Sequence, residues 1–533
     1  MKQILLLSAF LGLGLTACKK TPTPAPDPPT TSRADLSRDS IFLYAKEIYL
    51  WSDALPSYET FNPRKYTTLS TDFDNYEKEL IALTQYKINP TTKLPYEYFA
   101  SGTDSKYSYI ADKADKNPVA FAPNEKSSVD LEGNGNDFGF RLTAFTDPNS
   151  TAYALFISAV FQNSPADKAG LIRSNRITKV NGRVLGDNYN NDVAFLNNAI
   201  NANTLQMEYV KYENGITNGV ITVANLTKGL YKSSPIYAAK VITSGAKKIG
   251  YLAYARFSTL TNSQAGFDEA FADFNTRGVT DLIIDLRYNG GGYVNTAEYL
   301  INQIAPMSAV GAVMFSEHFN ALMQSGGAKI LENQPYLDEN YKVQYQNGKM
   351  ITYADLDYSV TGNTQRFQKS GPLNRSNTIS NIVFIVSGGT ASASELVINS
   401  LKPYMNVKLV GTKTYGKPVG FSPMTIENKY DVYYSLFQTK NANGEGDYFD
   451  GMTPDIVDDY DDPLYNFGDA DENYTAKAIS LLAPGATIAA SKANKTMSIA
   501  GKNVMLKQLG PAKSISGGGE FVGMIETNHK LKK

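Results

Sequence analysis

Between Asn381 and Gly420 the chain spells a strand, a turn, a helix and a second strand in immediate succession. Ile382 to Val386 is an unbroken apolar run, and a run of that kind needs cover on both faces, which a parallel sheet provides. The turn Ser387-Gly388-Gly389-Thr390-Ala391-Ser392-Ala393-Ser394-Glu395 follows, then a helix, then the strand Val407 to Val410, then Thr414-Tyr415-Gly416-Lys417. Parallel strands joined through a helix deliver both following loops to one edge of the sheet. Ser392 and Lys417, 25 residues apart, are therefore expected at the same edge. Small residues at the strand-to-helix turn leave backbone N–H groups and a hydroxyl exposed at a helix N-terminus, a place to hold an oxyanion.

A second turn of this grammar lies upstream. Asp281 to Leu286 reads as a buried parallel strand, broken by Arg287-Tyr288-Asn289-Gly290-Gly291-Gly292. It has neither the G-x-G-x-x-G spacing of a dinucleotide site nor the Gly-Lys-Ser/Thr ending of a P-loop. Lys248 to Phe257 is a further strand, and Phe267, Ala270, Phe271 and Phe274 mark one helix face.

The candidate base is chosen by scarcity. The chain has two histidines, His318 and His529, neither in a small-residue turn beside a carboxylate, and one cysteine, Cys18. Structural zinc and disulfides are excluded, and no metal or cofactor is expected. A serine hydroxyl needs a base in reach, and lysine is what this edge offers. Its pKa must fall by about 2 to 3 units to act near neutrality, which burial can supply. Tyr415, Pro418, Val419 and Phe421 could desolvate Lys417. The amides of Ala393 and of Gly291 or Gly292 are the expected oxyanion donors.

At 533 residues the chain exceeds one core, and a net charge of −1 argues against nucleic acid as a partner. Lys2, the apolar Ile4 to Leu15 and Leu15-Thr16-Ala17-Cys18 resemble a bacterial lipoprotein signal. That resemblance implies removal of residues 1–17, lipidation of Cys18, and anchoring in the cell envelope, at the outer membrane or facing the periplasm. Residues 18–33 form a Thr/Pro-rich tether. No later apolar run is long enough to cross a membrane. Residues 34–117 read as a helical domain, with Ile41, Phe42, Ala45, Ile48 and Tyr49 at helical spacing, a second helix over Tyr76 to Leu83, and Asp104 to Ile110 as a linker. Residues 118–225 turn to strands, with Asn163-Ser164-Pro165-Ala166 to Gly170-Leu171 opening a short helix and Val180-Asn181-Gly182 closing a strand. These residues resemble a PDZ domain, with Asn175-Arg176 in place of the usual Gly-Asp. The resemblance implies that Phe138, Gly139 and Phe140 form the loop receiving a peptide C-terminus; a β-rich spacer that binds nothing is the alternative.

Residues 226–484 form the catalytic candidate, and 485–533 a C-terminal extension with strand-like pieces of no legible role. Residues 104–482 resemble the carboxyl-terminal processing, or tail-specific, serine proteases, in which a PDZ domain accompanies a ClpP/crotonase-like core. Thr390 to Glu395 matches the nucleophile motif, Gly416-Lys417 the lysine motif, Asp285 to Gly292 the glycine turn, and Gly451-Met452-Thr453-Pro454-Asp455 a further segment. The resemblance implies a multidomain α+β protein, a Ser392–Lys417 dyad, and endopeptidase action on protein substrates recognised near their C-termini. Many relatives carry an orienting glutamine four residues after the lysine, where this chain has Phe421. Either the dyad suffices, or Glu395 or Ser394 assists, or activity is reduced. A catalytically weak or inactive peptide-binding protein on the same scaffold is the rival reading. The insert at 307–368 is either a lid or a surface elaboration. Asp455, Asp458, Asp459, Asp461 and Asp462 read as a solvated face.

Overall fold

The structure, a computed structural model, describes residues 31–100, 102, 104–114, 129–337, 342–368, 379, 381–485, 496–499, 502–505, 512–516, 523–526 and 529–532. The signal, Cys18 and most of the tether lie outside the described residues.

A six-stranded sheet organises the centre, in the order Ile236–Ser244, Lys247–Tyr254, Asp281–Asp285, Asn381–Val386, Asn406–Gly411 and Ile456–Val457. The first pair is antiparallel and every later neighbour is parallel. Burial on both faces explains the apolar runs. Leu282, Ile284, Ile382, Phe384 and Val386 point into a core shared with Phe267, Phe271 and Phe274 of helix Leu260–Thr276 and with Leu396 and Val397 of helix Ala393–Leu401. Ile283, Val383 and Ile385 point the other way, onto Tyr474, Ile479 and Leu482 of helix Asn473–Leu482. Each fully buried Phe or Leu contributes roughly 1.5–3 kcal/mol by leaving water.

The N-terminal helices Arg33–Ile48 and Asp72–Thr84 are capped by Ser32, whose Oγ accepts from the Asp35 N–H, and by Thr71, whose Oγ1 accepts from the Asp74 N–H. Their apolar faces join the central core, with Ile41, Phe42, Tyr76 and Leu80 in one cluster with Val432, Tyr434 and Phe437. Asp104 to Ile110 is no linker. Tyr107 is fully buried, and Tyr109–Asp112 pairs antiparallel with Tyr430–Tyr433.

A seven-stranded antiparallel sheet stands beside this centre. Its main order is Ala512–Ser516, Phe140–Thr146, Tyr153–Val160, Arg176–Val180, Thr204–Val210 and Ile221–Thr227, with Arg183–Val184 paired on Arg176–Val180. Helix Tyr189–Asn201 packs over it through Leu196 and Ala199. The outer strand, Ala512–Ser516, comes from the C-terminal extension.

The insert is neither lid nor ornament. Its strand Val313–Phe319 lies between Thr364–Arg366 and Phe437–Asn441 in a four-stranded sheet, and Phe315 is fully buried. Asn320, just beyond that strand, donates to the carbonyls of Glu47 and Tyr49, fastening the insert to the first helix.

Candidate active site

The two small-residue turns meet at the C-terminal edge of the parallel strands. Asn289 fastens one to the other: its carbonyl accepts from the Ala391 N–H at 3.3 Å and from Ser394 Oγ at 3.0 Å, while its Nδ2 donates to the Tyr254 carbonyl at 3.0 Å. Thr390 Oγ1 donates to the Leu286 carbonyl at 2.7 Å. Gly291 approaches so closely that a Cβ there would lie 3.0 Å from Ser392 Cβ and 2.4 Å from the Gly523 carbonyl. With φ of 111°, the position also suits glycine alone.

Ser392 sits at the strand-to-helix turn with φ 60° and ψ −113°. For a residue with a Cβ this conformation is strained by roughly 1–3 kcal/mol, the device by which a nucleophile is thrust out of a tight elbow. It stands at the N-cap with Glu395 at N3, in the outline of a capping box, yet among the described residues its buried Oγ has no hydrogen-bond partner.

Glu395 holds serine and lysine together through their backbones. Its Oε2 accepts from the Ser392 N–H at 2.9 Å and from the Lys417 N–H at 2.8 Å, so the two amides lie two hydrogen bonds apart through one oxygen. Oε1 accepts from the Gly416 N–H at 2.8 Å and from Thr414 Oγ1 at 2.5 Å. Glu395 is fully buried, and burial raises its pKa against these four donors.

Lys417 is fully buried as well. Burial is the main cause that pushes its pKa down to about 7, the charges of Glu97 and Glu395 opposing the shift and that of Lys106 adding to it. Its Nζ lies 4.2 Å from the centroid of the Phe421 ring and 5.9 Å from that of Tyr107. The phenylalanine at the glutamine position is thus an aromatic wall against the amine. The Tyr107 hydroxyl donates to the Gly416 carbonyl at 2.6 Å, fixing the residue before the lysine. Tyr107 is placed in turn by Glu97, whose carboxylate accepts from the Tyr107 N–H at 3.3 Å and from the Ser108 N–H at 2.7 Å. Sequence reasoning missed Glu97 and placed Tyr107 only within the polar-aromatic linker Asp104 to Ile110, since contacts across some three hundred residues leave no local signal.

Two further expectations need correction. The Gly291 N–H donates to Asn289 Oδ1 at 2.9 Å, so this amide is engaged within its own turn. Ala393 is the first residue of its helix, where an N–H has no intrahelical acceptor. In the Phe138–Phe140 loop, the Gly139 N–H donates to Asp137 Oδ1 at 2.8 Å, and the stacked rings of Phe138 and Phe140 are buried in the core of their own unit.

The acidic segment is not a solvated face throughout. Arg287, from the glycine turn, pairs with Asp285 at 2.7 Å, Glu472 at 3.0 Å and Asp461 at 2.6 Å. Arg173, from the seven-stranded unit, reaches the same Asp461 oxygen at 2.5 Å. The two guanidiniums hold the Asp461 carboxyl well below the usual carboxylate range despite its burial. Burial pushes Asp462 up to about 6. Neither histidine lies in these turns: His318 Nε2 bonds Ser316 Oγ at 2.9 Å, and His529 Nε2 bonds Ser422 Oγ at 3.2 Å. Among the described residues no acidic, histidine or cysteine cluster could hold a metal ion.

A helix-flanked parallel sheet with a strained serine elbow at its C-terminal edge is an arrangement that can present a hydroxyl beside backbone N–H donors. Residues 248–458 match the description of peptidase family S41. The chain is 22% identical over 303 residues to the carboxy-terminal processing protease CtpB of Bacillus subtilis, covering 57% of this chain and 52% of that protein. It is also 22% identical over 348 residues to a "Probable CtpA-like serine protease" of Staphylococcus aureus, covering 62% and 57%. The chain thus spans about half the length of the curated relatives it matches. A solved structure of a "Putative S41 protease from Bacteroides fragilis NCTC 9343" superposes with a TM-score of 0.53 at 22% identity, covering 83% of this chain and 96% of that one, and shares the fold. The molecule is a multidomain α+β protein of this fold.

Proposed function

We propose that the protein is a serine endopeptidase in which Ser392 attacks the scissile carbonyl and Lys417 is the general base. The observation that carries this reading is the pair of hydrogen bonds by which one Glu395 oxygen holds both residues' amides, with the lysine amine buried. Neutral Lys417 Nζ takes the proton from Ser392 Oγ as the Oγ–C bond forms. The oxyanion is stabilised by the Ala393 N–H, and the role of Gly291 is to leave room. Collapse breaks the C–N bond, and the leaving amine takes the proton from Nζ. Water, deprotonated by Nζ, then hydrolyses the ester, restores Ser392 Oγ–H and releases a new carboxylate.

The seven-stranded unit is read as PDZ-like and as the element that captures the C-terminal segment of a protein substrate by strand addition along Phe140–Thr146, beyond the Phe138–Gly139–Phe140 loop. Lipidation of Cys18 would hold the enzyme at the cell envelope. Ser392→Ala and Lys417→Ala should each abolish cleavage of an unstructured C-terminal tail while thermal unfolding stays cooperative, and retained activity in either variant sinks the dyad. The unpartnered Ser392 Oγ favours a second reading, a binding protein without turnover. Covalent labelling of Ser392 by a fluorophosphonate argues for the enzyme, and its absence under prolonged exposure for the binder.

A further inference from the structure

The C-terminal extension touches both the edge where a substrate strand is expected and the turn beside Ser392. Ala512–Ser516 pairs antiparallel with Phe140–Thr146, in the register Ala512 to Phe145, Lys513 to Ala144, Ser514 to Thr143 and Ser516 to Leu142, with a bulge at Ile515. Ile515 is half-buried against the apolar core of that unit, and Lys513 Nζ lies 4.6 Å from the centroid of the Tyr189 ring, on helix Tyr189–Asn201. The segment therefore lies along the strand edge next to the overlying helix, and its direction carries the chain toward the Phe138–Phe140 loop.

Gly523–Ile525 then pairs in parallel with Gly291–Tyr293, the Gly523 N–H donating to the Gly290 carbonyl at 3.1 Å. Its other side bonds the segment after the lysine: the Phe421 N–H donates to the Met524 carbonyl at 3.0 Å, and the Glu526 N–H donates to the Phe421 carbonyl at 3.3 Å. The Met524 side chain is fully buried. A strand hydrogen-bonded on both sides, between the glycine turn and Phe421, fills the gap between the turn that abuts Ser392 and the wall against Lys417. The last described residues fix it there, since the Asp357 N–H donates to the Lys530 carbonyl and the Lys532 N–H to the Asp355 carbonyl.

We propose that the C-terminal extension is the protein's own two-point ligand: residues 512–516 fill the strand-accepting edge of the PDZ-like unit and residues 523–526 fill the cleft beside Ser392, so that substrate and tail compete. This rests on the PDZ-like and Ser392 readings above and names the occupant of both sites. Linked to its sites through the chain, even a weak tail strand outcompetes a free peptide, because its effective concentration is high.

The test uses the full chain in a Ser392→Ala background, so that binding is read without chemistry. Two variants displace the first strand independently: Ser514→Pro, which breaks strand pairing, and Ile515→Asp, which sets a charge against the apolar core. The probe is a labelled synthetic peptide of residues 511–526, followed by fluorescence anisotropy. Either variant, provided it unfolds at the temperature of its parent, should bind the peptide about tenfold or more tightly than the intact chain. Equal affinity in all three proteins overturns the proposal, as does failure of every one to bind. Restoring Ser392 and timing its fluorophosphonate labelling with and without Met524→Asp, which sets a charge at the buried centre of the second strand, separates the two readings. Faster labelling in the displaced variants supports the tail as occupant. Equal labelling throughout overturns occupancy of the cleft but leaves the nucleophile standing, whereas a failed dyad leaves the peptide-binding result untouched.

Discussion

Lys417 is stored in the fold at a cost. A lysine whose pKa falls to about 7 on burial binds fewer protons when folded than when unfolded between that pH and its ordinary value of 10.5. Stability from this group therefore rises with pH across that window and is lowest below about pH 7. Lys417→Met, similar in volume and uncharged, should be more stable than the parent at pH 6 by roughly 1–4 kcal/mol, with the gap closing toward pH 10, as denaturant titrations at both pH values would show. In the active protein, kcat/KM should rise with pH through about 7 and then level, as the amine becomes able to accept a proton. Phe421 acts on the same proton. Its ring face favours the charged amine, so Phe421→Leu should move the pH–rate midpoint down by roughly 0.5–1 unit. Glu395 is a clamp with four donors and no room for a fifth. Glu395→Gln turns an amide NH₂ toward backbone N–H groups and should cost about 1–3 kcal/mol together with most of kcat, measured by thermal unfolding and single-turnover cleavage.

How much could be read from the chain varied with how local the cause was. The Ser392–Lys417 placement was legible because one strand-helix-strand unit imposes it, and the apolar runs at Ile382 to Val386 and Asp281 to Leu286 state two-sided burial directly. Phe421 was visible as a departure, but only its distance from Nζ shows it as a wall. Asp461 was misread because its two arginines lie far away in the chain, and a run of aspartates looks the same whether solvated or clamped. The C-terminal extension showed strand-like pieces but no role for them, because their partners, Phe140–Thr146 and Gly291–Tyr293, are hundreds of residues upstream. Near the second of them a buried carboxyl group gathers. Burial and then the Glu526 charge push Glu298 up to about 8 and Glu317 well above its ordinary range, with the Lys530 charge acting against both. Carboxyls of this kind keep a proton when folded that they lose when unfolded, so they favour docking in acid and weaken it as pH rises from 4.5 through about 8. Hydrogen exchange at residues 523–526 should therefore speed up between pH 6 and pH 9 by more than the intrinsic chemical rate, and Glu526→Gln should flatten that excess.

Among the described residues, the parts of the molecule are joined by packed and paired contacts. The first helix shares a core with the strands after Lys417, the insert is woven into a sheet with Phe437–Asn441, and the C-terminal extension adds a strand to one unit and crosses the other. Arg173 and Arg287, from the two units, are held by one oxygen of Asp461, and the Arg141 guanidinium lies 4.4 Å from the Tyr288 ring, in the same glycine turn. The shared aspartate has a calorimetric consequence. Units joined only by a tether melt separately, but units that share a buried charge cannot part without stranding an arginine. Heating should therefore give one endotherm for the whole chain, and Asp461→Asn should split it in two, the smaller peak belonging to the seven-stranded unit that had been riveted to the glycine turn.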